Sequence, residues 1–335
     1  MVFGSPKFFR KVPSWVVLVV GLLISAVALF WTYHDVDLKT LTKDLASTSW
    51  AWVPLAALAD LLVYVWQSWR WNMLLAPILR IPLWRTIRAI YVGLFVNELL
   101  PMRPGELLRA YLQARWNRAP FSVTLSSVII ERFFDAIWLL VVTFLATFFV
   151  ELPGHTVGLA RLLLVLVAIG AAVLAAVNWR RQKADGSLAP KGWLGVLLAD
   201  LRLMGRSRSF YLAFLLSLPY LLSQTLPVYL LMKAYRLDLS IWVAMIVVLM
   251  QRVGTALPQG PGNVGVLQLM TKQGLGLFGV DETTAAGFAT LAWIVITAPL
   301  LAAGAVAVTV TGMRFSELRR QAGTLAPAAA EPQVS

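Results

Sequence analysis

Leu100-Pro101-Met102-Arg103-Pro104-Gly105-Glu106 and Leu257-Pro258-Gln259-Gly260-Pro261-Gly262-Asn263 both spell LPxxPG. Proline removes a backbone donor and glycine relaxes the dihedral limits, so each copy breaks a helix. The surrounding chain is 59% apolar and only 13% charged, which places it among integral membrane proteins. Apolar runs long enough for a hydrocarbon core of about 30 Å recur, among them 15–33, 157–178 and 286–312. The first follows Lys7, Arg10 and Lys11 but lacks a small-residue cleavage site, so it is expected to be a retained helix rather than a signal peptide.

Charge gives the topology. The net charge of +13 raises the question of nucleic acid, but the basic residues sit in loops, where anionic headgroups and membrane insertion account for them. With the N-terminus in the cytoplasm, one side collects Lys7, Arg10, Lys11, Arg80, Arg85, Arg88, Arg103, Arg109, Arg115 and Arg118. The basic loop 179–208 and Arg314, Arg319 and Arg320 fall on the same side. The loops assigned outside, near 34–49, 151–161, 233–239 and 280–285, hold only Lys39, Lys43, Arg161, Lys233 and Arg236. The expectation is a multi-pass protein of the plasma or inner membrane with both termini cytoplasmic.

A single helix from Arg88 to Arg103 would carry the arginines up to Arg118 outside, against that rule. A re-entrant hairpin avoids this: the chain enters, breaks at Pro101, Pro104 and Gly105, and returns along 106–118 to the same face. The second copy mirrors it, with 243–257 entering from outside, a break at Pro258, Pro261 and Gly262, and a return along 264–280. Two oppositely oriented broken-helix hairpins in the two halves are the pattern of an inverted repeat with a site near the bilayer midplane. The predicted fold is thus an all-α helix bundle, one transmembrane domain over 1–320, followed by an alanine- and proline-rich tail, 321–335, expected to be disordered.

Charges inside the apolar segments point to the site. A helix beginning near Ser122 carries Glu131 about 14 Å along its axis, with Asp135 on the same face and Arg132 within reach of Asp135. Two carboxylates there require a cation, and Arg132, Arg103 and Arg109 are the candidates, with Asn97, Glu98 and Glu106 adding polar groups at the first break. Such a group is either an ion-pair clamp or a ligand path, and the two stay open. Gln251, Arg252, Gln268 and Lys272 flank the second break. Asp60 and Gln67 either line a path or make interhelical hydrogen bonds, the second being the commoner role of an isolated polar residue, and Trp15, Trp31, Trp50, Trp52, Trp69 and Trp71 are expected to anchor at the interface.

The residues Asn97-x-x-x-Pro101, Arg103-Pro104-Gly105-Glu106-Leu107-Leu108-Arg109 and Glu131-Arg132-x-x-Asp135 resemble the lysylphosphatidylglycerol synthase transmembrane, or flippase-like, family. Pro258, Pro261, Gly262 and Gly265 look like its second motif, and the resemblance runs from Trp15 to Arg314. Two departures stand out: Gln268 occupies the place of the family's usual acid, and Asn263 that of a glycine. The resemblance implies lipid handling, since the best-known member joins such a domain to a cytosolic aminoacyl-transferase and moves the modified lipid between leaflets. No transferase is recognisable here, so a separate lipid-modifying enzyme is the partner it implies.

The expected function is translocation of an anionic or modified phospholipid, or of a lipid-linked molecule, without catalysis and without a cofactor. Arg103, Arg109 and Arg252 would attract its phosphate, and Glu106, Glu131 and Asp135 would either position them or meet a cationic group of the headgroup. A membrane-embedded transferase using Glu131 or Asp135 as base, and a structural membrane subunit, are the alternatives. There is no cysteine, His34 and His155 are far apart, and GxxxxGK[ST] is missing, so thiolate chemistry, a histidine metal site and direct ATP use are not expected.

Overall fold

The computed structural model describes residues 14–100, 103–146, 204–205, 207–255, 260–312 and 317. Pro101, Pro258, the apolar run 157–178, most of the basic loop 179–208 and the tail 321–335 lie outside the described residues. The architecture is all-α, that of a polytopic membrane protein. In chain order the helices are α1 (Ser14–Tyr33), α2 (Leu38–Ser47), α3 (Trp52–Leu75), α4 (Leu83–Leu99), α5 (Gly105–Asn117) and α6 (Phe121–Ala146). They continue with α7 (Arg208–Ser223), α8 (Thr225–Ala234), α9 (Ile241–Thr255), α10 (Val266–Gly276) and α11 (Glu282–Thr311).

Among the described residues, two helical runs are long and apolar enough to cross a membrane unaided, 208–234 and Glu282–Thr311. A third appears if 39–47 and 52–75, bent by 83° at their junction, count together. The 26-residue α6 is long enough as well but carries three charges, which are tolerated only where protein surrounds them.

The segment 34–49, expected to be an external loop, contains a helix. Asp37 caps α2 by accepting from the N–H groups of Lys39 and Thr40, and the Thr40 hydroxyl and these N–H groups hold its carboxyl below the usual aspartate value. Leu41 and Leu45 then fall on one face, and Asp44 accepts a hydrogen bond from the Thr284 hydroxyl at the start of α11.

Both sequence breaks become the tips of antiparallel helical hairpins. In the first, α4 and α5 are laced from base to tip: Arg85 donates to Asn117 at 3.1 Å, Gln113 to Thr86 at 2.8 Å, and the Gly105 N–H to the Asn97 side chain at 2.7 Å. Near the tip the backbones touch, and a Cβ on Gly105 would lie 1.8 Å from the Gly93 carbonyl oxygen. Only glycine fits there. In the second hairpin, α9 and α10 are joined by Gln251 donating to Thr271 at 2.9 Å. Its tip is a 3-10 turn, Pro261–Asn263, with Gly262, Asn263 and Gly265 at positive φ.

Each hairpin has its own apolar core. One, with Trp71, Ile90, Val96, Leu108 and Leu112, joins α4 and α5 to α3 and α6. The other, with Val228, Leu231, Val247, Leu275 and Phe288, joins α9 and α10 to α8 and α11. Helices α3 and α11 contribute to both, so the two hairpins are held to a common frame.

Candidate functional site

Between α7 and α8 the helix is interrupted at Gln224, where Pro227 has no N–H to give the Ser223 carbonyl. This break, the two hairpin tips, α3 and the middle of α11 enclose a cavity of about 240 Å3. The tips meet across it. Asn263 donates to a Glu98 carboxylate oxygen at 3.1 Å, and Arg103 donates to the Thr255 carbonyl at 3.0 Å. Asn263 and Arg103 both have left-handed backbone, at φ 53° and 51°. Asparagine tolerates that region better than most residues, and its amide supplies a contact that glycine at the same position lacks.

Beside the cavity the intramembrane charges close into a ring. Arg70 pairs with Glu131 at 2.7 Å, Glu131 with Arg109 at 2.8 Å, and Arg109 with Glu106 at 2.8 Å. Glu106 continues to Arg132 at 3.5 Å, Arg132 to Asp135 at 3.5 Å, and Asp135 back to Arg70. Three arginines and three carboxylates alternate and leave no net charge. Arg70 and Glu131 are each 1% exposed, so their charges survive only because opposite charges stand where water would. Two aromatic faces complete the seat: Tyr220 lies 4.3 Å from the Arg70 guanidinium and Trp71 lies 4.6 Å from that of Arg109. The ring ties α5 and α6 to α3, with Ser217 of α7 accepting from Arg70 at 2.7 Å.

The structure divides the expected site residues. Asn97, Arg103, Glu106, Arg132 and Arg252 line the cavity. Arg109, Glu131 and Asp135 belong to the ring behind it, where Arg109 pairs with Glu106 and Glu131 while its Nη1 has no hydrogen-bond partner among the described residues. Gln268 is 3% exposed, and its side-chain oxygen accepts the Gly265 N–H at 2.8 Å, a cap on α10. Gly265 itself sits where a Cβ would come within 2.3 Å of the Ser25 carbonyl of α1. Lys272 neutralises Glu282 at 2.6 Å and donates to the last carbonyls of α1.

Other expectations change. Of the two readings open for Asp60 and Gln67, both residues take the lining one, and among the described residues the Asp60 Oδ2 has no hydrogen-bond partner. Trp71 is fully buried and donates to Ser127 at 2.9 Å, so it packs the core, whereas Trp31, Trp50, Trp52 and Trp69 remain exposed. Arg70 was missed: it stands between two tryptophans taken as anchors, and its charge inside an apolar helix was the available signal. The aromatic Tyr64 and Tyr220 also face the cavity.

Two cavity cations stand outside the ring. Arg103, from the first tip, and Arg252, from the end of α9, lie within electrostatic reach of one another. Among the described residues neither has a carboxylate within ion-pair distance: Arg103 donates to the Thr255 carbonyl and Arg252 to the Gln224 side chain. Two arginines facing one polar cavity form a fork that suits a phosphate.

A UPF0104 membrane protein of Methanocaldococcus jannaschii is 31% identical over 133 residues, which is 38% of this chain and 40% of that protein's length. Residues 18–304, which include both hairpins and the charged ring, match the lysylphosphatidylglycerol synthase TM region. The chain belongs to that family of multi-pass membrane proteins.

Proposed function

We propose that the protein is a lipid translocase in which the headgroup of a phospholipid or lipid-linked molecule crosses through the cavity between the hairpin tips. The observation that carries this is the pair Arg103 and Arg252, one from each hairpin, facing one cavity with no carboxylate within ion-pair distance among the described residues. Both hairpins are re-entrant, entering from opposite faces and meeting near the midplane, with the two termini in the cytoplasm. At about 240 Å3 the cavity is smaller than the roughly 300–1,000 Å3 typical for drug-sized ligands, so it takes a headgroup while the acyl chains stay in lipid. The lipid leaves with its mass unchanged, and catalysis is not required.

The test is a leaflet-exchange assay in proteoliposomes with a headgroup-intact fluorescent phospholipid. A charge-assisted contact to phosphate is worth about 1.5–3 kcal/mol, so Arg103→Gln and Arg252→Gln should each slow exchange by about tenfold or more. Exchange at the wild-type rate by the folded double variant would sink the proposal. A changed lipid mass would favour a transferase.

A further inference from the structure

The cavity has a second wall that phosphate leaves unsatisfied. Asp60 on α3 and Glu98 at the first tip both line it, and each is nine-tenths buried. Among the described residues the Asp60 Oδ2 has no hydrogen-bond partner, and neither has the Glu98 Oε2, although Glu98 Oε1 accepts from Asn263. The two carboxylates lie within electrostatic reach of each other, and Arg252 and Arg103 are the nearest opposing charges. The other charged residues lining the cavity, Glu106 and Arg132, are already neutralised within the ring.

Outside the ring the cavity therefore holds two positive and two negative side chains. An anion alone would engage the arginines and leave two buried carboxylate oxygens orphaned, each a costly state. A cation alone would do the reverse. A ligand carrying both charges completes both walls. The orphaned oxygens need hydrogen to accept, so an ammonium with N–H groups fits and a quaternary ammonium does not.

We infer that the cavity selects a dipolar headgroup, with its phosphate at Arg103 and Arg252 and its primary ammonium at Asp60 and Glu98. This rests on the translocase reading and adds the class of headgroup.

Native mass spectrometry of protein equilibrated with phosphatidylethanolamine, phosphatidylcholine and phosphatidylglycerol of the same acyl chains tests it. The wild type should retain phosphatidylethanolamine about tenfold over the other two. Asp60→Asn and Glu98→Gln, both close in shape to the native residues, should keep binding phospholipid but bring the three toward parity. Equal retention of the three lipids by the wild type overturns the inference, as does an unchanged preference in both carboxamide variants. The double variant Arg103→Gln/Arg252→Gln separates the two proposals: loss of all three lipids supports the phosphate site whatever the selectivity, and unaltered retention removes that site and the inference with it.

Discussion

Arg70 is the residue whose removal the fold should tolerate least. It bridges Glu131 and Asp135, so Arg70→Met leaves the ring with two cations for three carboxylates, of which Glu131 is deeply buried. Breaking a buried pair by removing one partner costs about 3–5 kcal/mol, and a large drop in the thermal midpoint of the purified protein is expected. Arg103→Gln should lower that midpoint much less, because Arg103 lies outside the ring and gives up a contact to the Thr255 carbonyl and a longer-range attraction to Glu98 rather than a close ion pair. Clamp and path are thus separable by stability against exchange rate. The i, i+4 spacing of Glu131 and Asp135 was legible in one sequence, as was their need for a cation. That Arg70 answers it was not, because residues 61 and 65 positions away meet only through the packing of α3 on α6, and no local pattern encodes that contact.

At the scale of elements, the hairpins were the most legible part, since proline and glycine act on their own backbone wherever the chain is placed. The crossing of α4 and α5 was less so. Gly105 stood in the motif as a helix breaker, yet its further duty is to let the Gly93 carbonyl approach. Gly105→Ala should therefore separate the two helices and lower stability by several kcal/mol, within the range for an overpacked interior, as seen in thermal unfolding. Gln268→Ala should cost about 1 kcal/mol through loss of the cap on α10 and leave lipid selectivity intact in the three-lipid competition. The helix α2 escaped the sequence reading because its short amphipathic pattern lies beside a loop-like stretch, and its apolar side is completed only by docking on α11.

At the scale of the molecule, two cores share α3 and α11 while the hairpin tips touch through polar contacts. Such an arrangement holds each hairpin firmly to the frame and the tips weakly to each other. Because the natural chain has no cysteine, the pair Glu98→Cys/Asn263→Cys offers the only thiols for a short reversible cross-linker. Linking the tips should stop leaflet exchange, and reduction should free them. The difference between the restored rate and that of an unlinked sample reports what the lost Glu98 and Asn263 side chains contribute.

The ring has one more effect. A charge that moves through a membrane under voltage gains or loses about 2.3 kcal/mol per 100 mV, which makes a lone buried arginine a voltage sensor. Three arginines and three carboxylates travelling as a closed set carry no gating charge. A movement that carries α3, α5 and α6 together therefore moves no charge from the ring, and if exchange uses such a movement, a potassium diffusion potential imposed on proteoliposomes should leave the exchange of a net-neutral lipid unchanged.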